Sequence, residues 1–284
     1  MTRGGVVVTG ASSGIGAAIA HELAARGFTV FGTIRRPQDG AALVAAGVTP
    51  IPMDVTDASG IAAARVTVER ALGGRPLAGL VNNAGVPAAG PLELVPLEEL
   101  RRVLEVNLVG AVAVTQAFLP LLKVSRGRIV NMSSLAGRAA LPFLGPYAAS
   151  KFGLEAVSDS LRRELAPFGV GVIVIEPGNI ESKIWDKVEA MDLGGYRGTP
   201  YESVLARFRA RALRDGRRAP PATLVAGAVL RALTARRPPT RIIVSARPWI
   251  DGLVVRLPDR LLDWLMGRMV WGTMREEGSG KREE

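Results

Sequence analysis

What most constrains the fold is a rhythm. Short runs of β-branched and aliphatic residues recur along the chain, separated by helix-length stretches. Gly5–Thr9, Thr29–Thr33, Thr49–Met53, Gly79–Asn82, Arg128–Met132, Val170–Ile175 and Arg241–Ser245 read as strands. Ile15–Arg26, Gly40–Ala46, Asp57–Leu72, Leu97–Val124 and Ala148–Ala166 read as helices. Strands alternating with helices imply right-handed βαβ crossovers and a parallel sheet. Val172–Ile175 is apolar at every position, as a strand covered on both faces requires. The expectation is an α/β fold with one doubly wound parallel sheet. No repeat or composition break divides residues 1–246, which read as one domain. Within it, residues 182–219 break the rhythm and are rich in Arg and Gly, the pattern of a substrate loop region. Residues 247–284 read as an amphipathic extension whose charged end, Arg275–Glu284, is expected to fray.

Composition removes several classes of chemistry. The 284 residues include no cysteine and a single histidine, His21. Disulfides, thiolate catalysis and Cys- or His-rich metal sites are therefore excluded, and no metal is expected. The net charge is +10, but only five of the 36 basic residues are lysines. Such a balance favours anions in general without choosing among them. No aromatics interleave the arginines as in a nucleic-acid surface, so no nucleic acid is expected as a partner. The longest uncharged run, Val106–Leu122, has 17 residues and contains Asn107, Gln116 and Pro120. It falls short of the roughly 20 residues of a membrane span and reads as a buried helix. No signal peptide is visible, and the expected location is cytoplasmic.

Between the first strand and first helix lies Thr9-Gly10-Ala11-Ser12-Ser13-Gly14-Ile15-Gly16. Glycines there let backbone approach a pyrophosphate, and the helix N-terminus offers free N–H groups to the anion. Gly10, Ser12, Ser13, Gly14, Ile15 and Gly16 are the candidate contacts. The same residues match the G-x-S-x-G of a hydrolase nucleophile elbow. That reading needs a base, and His21 follows on the same helix, where it cannot fold back as a partner. The second strand ends Thr33-Ile34-Arg35-Arg36-Pro37, without an acid to take a ribose 2′-hydroxyl. Arg35, with Arg36, reads as a clamp for the 2′-phosphate of NADP(H), and NAD(H) is the second choice. Asp54 and Val55 follow the third strand, where Asp54 is a candidate for the adenine amino group or a local cap.

Tyr147 and Lys151 are four residues apart in a helical stretch and so share a face. A neighbouring ammonium favours the phenolate and is expected to lower the phenol toward neutrality, where it exchanges protons with an alcohol or ketone. Ser134 could donate to the same substrate oxygen, and Asn107 could hold a water touching Lys151. Taken together, these residues resemble the short-chain dehydrogenase/reductase family over residues 3–246. Thr9–Gly16 resembles its cofactor loop on a Rossmann fold. Asn82-Asn83-Ala84-Gly85 resembles its Asn-Asn-Ala-Gly motif, and Pro177-Gly178 its turn beside the nicotinamide, with Ile180 just beyond. Asn107, Ser134, Tyr147 and Lys151 match its catalytic tetrad.

The resemblance implies that Tyr147 is the acid/base, Ser134 orients the carbonyl, Lys151 also grips the nicotinamide ribose, and Asn107 anchors a relay water. Asn83, Ala84 and Gly85 would line the cofactor. Leu135–Pro146 and Glu176–Asn179 resemble the retinol and 17β-hydroxysteroid dehydrogenase branch, which implies a small lipophilic substrate of steroid, retinoid or fatty type. The family also implies a homo-oligomer, a dimer or tetramer. The alternative is a catalytically idle dinucleotide-binding sensor or scaffold, and the intact tetrad argues against it.

Two features stand outside the resemblance. Arg207, Arg209, Arg211, Arg214, Arg217 and Arg218 surround one acid, Asp215, which reads as a solvated helix face or an anion contact. Leu257, Leu261, Leu265 and Met269 recur every four residues beside Trp264 and Trp271. That pattern is an amphipathic helix, expected to act as a lid or packed helix, with peripheral membrane contact as the second reading.

Overall fold

The computed structural model describes residues 3–182, 184–190 and 192–279. Its sheet contains β1 (Gly5–Val8), β2 (Thr29–Ile34), β3 (Thr49–Pro52), β4 (Leu77–Asn82), β5 (Arg128–Met132), β6 (Gly171–Pro177) and β7 (Arg241–Val244). The order is β3-β2-β1-β4-β5-β6-β7, and every neighbouring pair is parallel. The chain winds outward from β1 to β3, then crosses back to β4. A crevice therefore opens at the carboxyl ends of β1 and β4, where such sheets bind ligands.

The pleat of β1 explains both layers. Val6 and Val8 face α1 (Gly14–Ala25), packing with Ile19 and Leu23. Val7 points the other way with Leu80, Ile129 and Val172. That face is covered by Val68 and Leu72 of α3 (Ala58–Leu72) and by Val114 and Phe118 further along the chain. Each such burial stabilises by about 1.5–3 kcal/mol. Short α2 (Ala41–Ala45) leads into β3. The start of α3 is fixed by Asp57, whose carboxylate accepts from Ser59 N at 3.0 Å.

Residues 97–125 form one continuous rod: α4 (Leu97–Leu104), a π-turn over Glu105–Val109, and α5 (Gly110–Ser125). The rod is long and apolar enough by length and composition to cross a membrane. Here it packs as a core helix, burying Val103, Asn107, Ala111, Val114, Phe118 and Leu122. α6 (Gly145–Leu165) follows, opened by Pro146 in its first turn.

Beyond β6 come α7 (Ile184–Glu189), α8 (Glu202–Arg217), α9 (Thr223–Thr234), α10 (Pro248–Val254) and α11 (Asp259–Ser279). The strand–helix rhythm does not announce α9, yet its Val225, Ala226, Val229 and Ala232 are core residues against α1. Their helical spacing, just after Pro220-Pro221, is the signal that marks it. α11 reaches Ser279, past the Arg275 at which fraying is expected, and residues 280–284 lie outside the described residues.

Candidate active site

The glycine loop, Arg35, Asp54, the Asn83–Gly85 turn, Ser134 and Gly178 lie just beyond the carboxyl ends of strands, while Asn107, Tyr147 and Lys151 come from helices. After β1 the chain turns through Gly10 (φ +65°) and Gly14 (φ +58°), conformations that a Cβ disfavours. Gly10 N donates to Thr33 Oγ1 (3.2 Å) and Ala11 N to Thr33 O (2.9 Å), tying the loop to β2. On the other side Thr9 Oγ1 accepts from Asn83 N and Ala84 N, both at 2.9 Å. The Asn83 amide donates back to Thr9 O (2.9 Å) and Gly10 O (3.3 Å). The glycine loop and the Asn-Asn-Ala-Gly turn are thus one hydrogen-bonded unit. Asn82 takes no part at the surface: its amide donates to Thr115 Oγ1 and Asn131 Oδ1, both at 2.9 Å, and pins β4 to α5 and β5.

A dinucleotide fits this cradle. Ser13 is the N-cap of α1 but makes no side-chain cap bond, and no acid lies in the first turn. The leading N–H groups are therefore unclaimed by any side chain and suit a pyrophosphate. Ser12 is exposed, and Ser13, Gly14 and Ile15 are half-buried around this opening. Arg35 is exposed just past β2 and has no hydrogen-bond or ion-pair partner among the described residues. Arg36 differs, since Asp39 holds it with two bonds of 3.1 and 3.2 Å. Asp54 Oδ1 closes a turn by accepting from Thr56 N (2.9 Å) and Thr56 Oγ1 (2.8 Å). The cap of α3 is Asp57, not Asp54. Val55 is buried, with its carbonyl 2.8 Å from where a Cβ on Gly110 would stand. His21 is exposed on α1.

Tyr147 and Lys151 occupy successive turns of α6. Lys151 is buried, with Nζ 5.7 Å from the Tyr147 ring centroid and donating to Met132 O at 2.7 Å. Burial pushes its ammonium down to about 8, against the opposing field of the Glu155 carboxylate. Burial also pushes the Tyr147 phenol up, and the Ser134 hydroxyl works the other way. The expected lowering of the phenol by its neighbouring cation is therefore not what dominates. The lysine is directed at the Met132 carbonyl, and loss of water around the phenol carries the balance.

Ser134 caps the single turn Leu135–Gly137, its Oγ accepting from Ala136 N at 3.1 Å. Its bond to Pro177 O is long, at 3.4 Å, and easily exchanged for a better acceptor. Asn107 sits in the π-turn, a feature that recurs at functional positions. Both its amide donors are taken, by Val86 O and Ser150 Oγ at 3.0 Å each, and its oxygen accepts from Val86 N at 2.8 Å. The side chain thus braces the segment after Gly85, and its amide hydrogens are already engaged rather than free for a water near Lys151. Gly178 N donates to Val244 O at 2.9 Å, which fixes the turn after Pro177. Ile180 is buried, and its carbonyl accepts from Trp185 Nε1 at 2.8 Å.

Sequence reasoning missed two sets of residues here. Phe143, just before α6, adopts φ +68°, unusual for a bulky residue. Its ring meets Tyr201, Phe208 and Trp271 edge-on, with centroids 6.2, 5.6 and 6.2 Å away. α8 and α11 thereby close over the segment leading to Tyr147, and a groove of about 360 Å³ runs between Leu141, Leu262, Asp263, Met266 and Trp271, partly polar in its lining. The second set is an ionic group near the turn carrying Lys151: the buried Glu155 and Glu176 with the half-buried Arg241. Along α8, Arg211 faces Asp215 at 3.7 Å and Arg217 pairs with Glu189 at 3.0 Å. Arg207 Nη2 is buried there without a hydrogen-bond partner.

The comparisons agree with this geometry. The short chain dehydrogenase family profile matches residues 5–193. The NADPH-dependent 3-dehydrocapnine reductase of Ornithobacterium rhinotracheale is 37% identical, over 90% of this chain and 94% of that protein. Mouse (Mus musculus) retinol dehydrogenase 5 is 35% identical, over 93% of this chain and 89% of that protein. A short-chain dehydrogenase from Streptomyces avermitilis superposes with a TM-score of 0.75 at 29% identity, covering 98% of both chains. The chain belongs to the short-chain dehydrogenase/reductase family, close to its retinol dehydrogenase branch, and is an alcohol dehydrogenase or reductase of that family.

Proposed function

We propose that this enzyme uses NADP(H) to interconvert an alcohol and a ketone or aldehyde on a small lipophilic substrate, with Tyr147 as the proton-transferring group. The observation that carries this is the placing of Tyr147 and Lys151 on adjacent turns of α6, at the same sheet end as the uncapped N-terminus of α1. The dinucleotide, when bound, supplies or accepts the hydride. Its pyrophosphate would rest on residues Gly10–Gly16, and its nicotinamide end on Asn83–Gly85, Pro177, Gly178 and Ile180. In reduction the Tyr147 hydroxyl gives its proton to the carbonyl oxygen. Ser134 donates a hydrogen bond to that same oxygen, exchanging its long bond to Pro177. The Lys151 ammonium then stabilises the phenolate, and in alcohol oxidation each proton moves in reverse.

Arg35 supports the choice of NADP(H), since it stands alone past β2 where a 2′-phosphate belongs. The relative named as NADPH-dependent points the same way. Arg35→Asp replaces a cation by an anion at that place. It should lower NADPH affinity by about 100-fold, two charge-assisted interactions' worth, and leave NADH affinity within a few-fold. Fluorescence titration with both nucleotides reads the ratio. Unmodified protein that binds both equally would remove Arg35 from this role.

In this reading the apolar side chains of the groove, Leu141, Leu262, Met266 and Trp271, face the lipophilic substrate. Deleting residues 258–284 removes the α11 wall of the groove. It should raise substrate KM several-fold while NADPH affinity holds, because α11 packs on α8 whereas the glycine loop is held by β2 and the turn after β4. Retained KM with lost NADPH binding would defeat that placement. α10 and α11 also expose Trp249 (91%), Leu253 and Trp264, which supports peripheral membrane contact through this face. Val109, Val124 and Phe152 are exposed on α5, its preceding turn and α6, which supports a homo-oligomer built on those helices.

A further inference from the structure

Glu155 lies one helical turn beyond Lys151 on α6 and is only 6% exposed. Glutamates are rarely so deep unless paired. Oε2 accepts from Arg241 Nε at 3.0 Å, while Oε1 is buried with no hydrogen-bond partner among the described residues. Glu176, near the end of β6, is 1% exposed and stands between Arg138 Nη1 (3.2 Å) and Arg241 Nε (3.4 Å). Arg241 opens β7 and reaches Asp159 Oδ1 at 2.9 Å. Asp159 also holds Arg162 at 3.0 Å and faces Arg163 at 3.7 Å. A line of charge thus runs from Arg138, in the loop after Ser134, through Glu176 and Arg241 to Glu155 and the turn carrying Lys151.

Buried ion networks of this kind are seldom the most stable filling for a core, since apolar residues of similar size do as well or better. Proton transfer between Tyr147 and substrate, as described under the proposed function, gives this one a use. A lysine stripped of water needs a counter-charge, and among the described residues Lys151 has a neutral carbonyl as its one hydrogen-bond partner. We propose that Glu155 is a positioning residue for the reaction: its carboxylate, oriented by Arg241, is the buried counter-charge to the Lys151 ammonium. The inference rests on the reading of Tyr147 and Lys151 as the working pair.

The electrostatics have a definite sign. Burial discharges Lys151 and the Glu155 field opposes that. Taking away the carboxylate leaves burial unopposed, so the lysine loses its proton at lower pH. Taking away Arg241 exposes Lys151 to the undiminished fields of Glu155 and Glu176, so it holds its proton to higher pH. Asp159, Arg162 and Arg163 on α6, Arg138 in the Ser134 loop and Glu176 on β6 remain in both variants and set the common background.

The test is a direct titration of the full chain grown with [ε-¹³C]lysine. Only five lysines contribute signals, and Lys151→Arg identifies the one of interest. In Glu155→Gln the Lys151 midpoint should fall by about one pH unit, and in Arg241→Gln it should rise by about as much. A general loosening of the fold would move both variants the same way, toward the ordinary lysine value. A midpoint that stays at the wild-type value in either folded variant overturns the inference, as does a rise in Glu155→Gln; the fall in Glu155→Gln is the result that loosening does not produce. The alkaline limb of NADPH-linked reduction of a lipophilic ketone should follow the same shift in Glu155→Gln. Tyr147→Phe, assayed in parallel, separates the two ideas. If it retains turnover, the proton-transfer reading fails, whereas an unmoved Lys151 midpoint beside an inactive Tyr147→Phe fails this inference alone.

Discussion

Tyr147→Phe will lower turnover by about 10²–10⁴-fold, the usual contribution of a positioned acid or base, and leave nucleotide affinity within a few-fold. Only the hydroxyl is lost. The ring keeps its place in the first turns of α6, and Lys151 keeps its bond to Met132 O, which does not involve the phenol. The measurements are kcat on a panel of lipophilic ketones and aldehydes, and a nucleotide titration. Activity close to wild type would remove Tyr147 from the chemistry. The pH dependence has a sign as well. Carbonyl reduction needs the phenol protonated and the lysine charged. With Lys151 brought down to about 8, reduction should weaken as pH rises through that region. Alcohol oxidation needs the phenolate, and burial pushes the phenol up, so oxidation should strengthen only at pH values above that region.

The parts of this molecule that follow from local rules were legible in advance. β5 was expected at Arg128–Met132 and lies there, because a run of apolar and β-branched residues beside Gly127 has few alternatives. The helix expected from Ala148 begins three residues earlier, at Gly145, because Pro146 serves as a first-turn residue rather than a breaker. α9 was missed for a different reason. An alanine-rich helix has small apolar residues on several sides, and only packing against α1 selects Val225, Val229 and Ala232 as the inward face. The site divides in the same way. The glycine loop and the Tyr147–Lys151 spacing are local patterns. The fate of Asn107 is not, since Val86 and Ser150 come to it from elsewhere in the chain. The Glu155–Arg241–Glu176 group joins α6, β7 and β6, and nothing in one-dimensional order connects residues 86 positions apart. The direction of the Tyr147 shift also depended on burial, which spacing does not report.

Gly16→Val will abolish useful nucleotide binding, and the reason lies inside the protein rather than in the ligand. A Cβ at residue 16 would press into the carbonyl oxygen of Gly10 and lie 2.5 Å from Asn83 Nδ2. Those two groups form one of the hydrogen bonds that join the glycine loop to the turn after β4. Neither can retreat without moving backbone: Gly10 is held at positive φ by its bond to Thr33, and Asn83 by Thr9. The N-terminus of α1 must therefore swing away from the crevice, and its free N–H groups go with it. Losing two charge-assisted bonds to phosphate corresponds to about 100-fold or more in affinity. The overpacking itself should cost about 1–3 kcal/mol of stability, or about 2–10 °C in Tm for a chain of this size. Gly227→Ala is the control. Gly227 lies within α9 with nothing within 4 Å of its added Cβ, so it should leave binding unchanged and stabilise by about 0.5–1 kcal/mol. Calorimetric titration with NADPH and a thermal melt on both variants measure the two effects. If Gly16→Val binds NADPH like the unmodified chain, the N-terminus of α1 is not where the pyrophosphate rests.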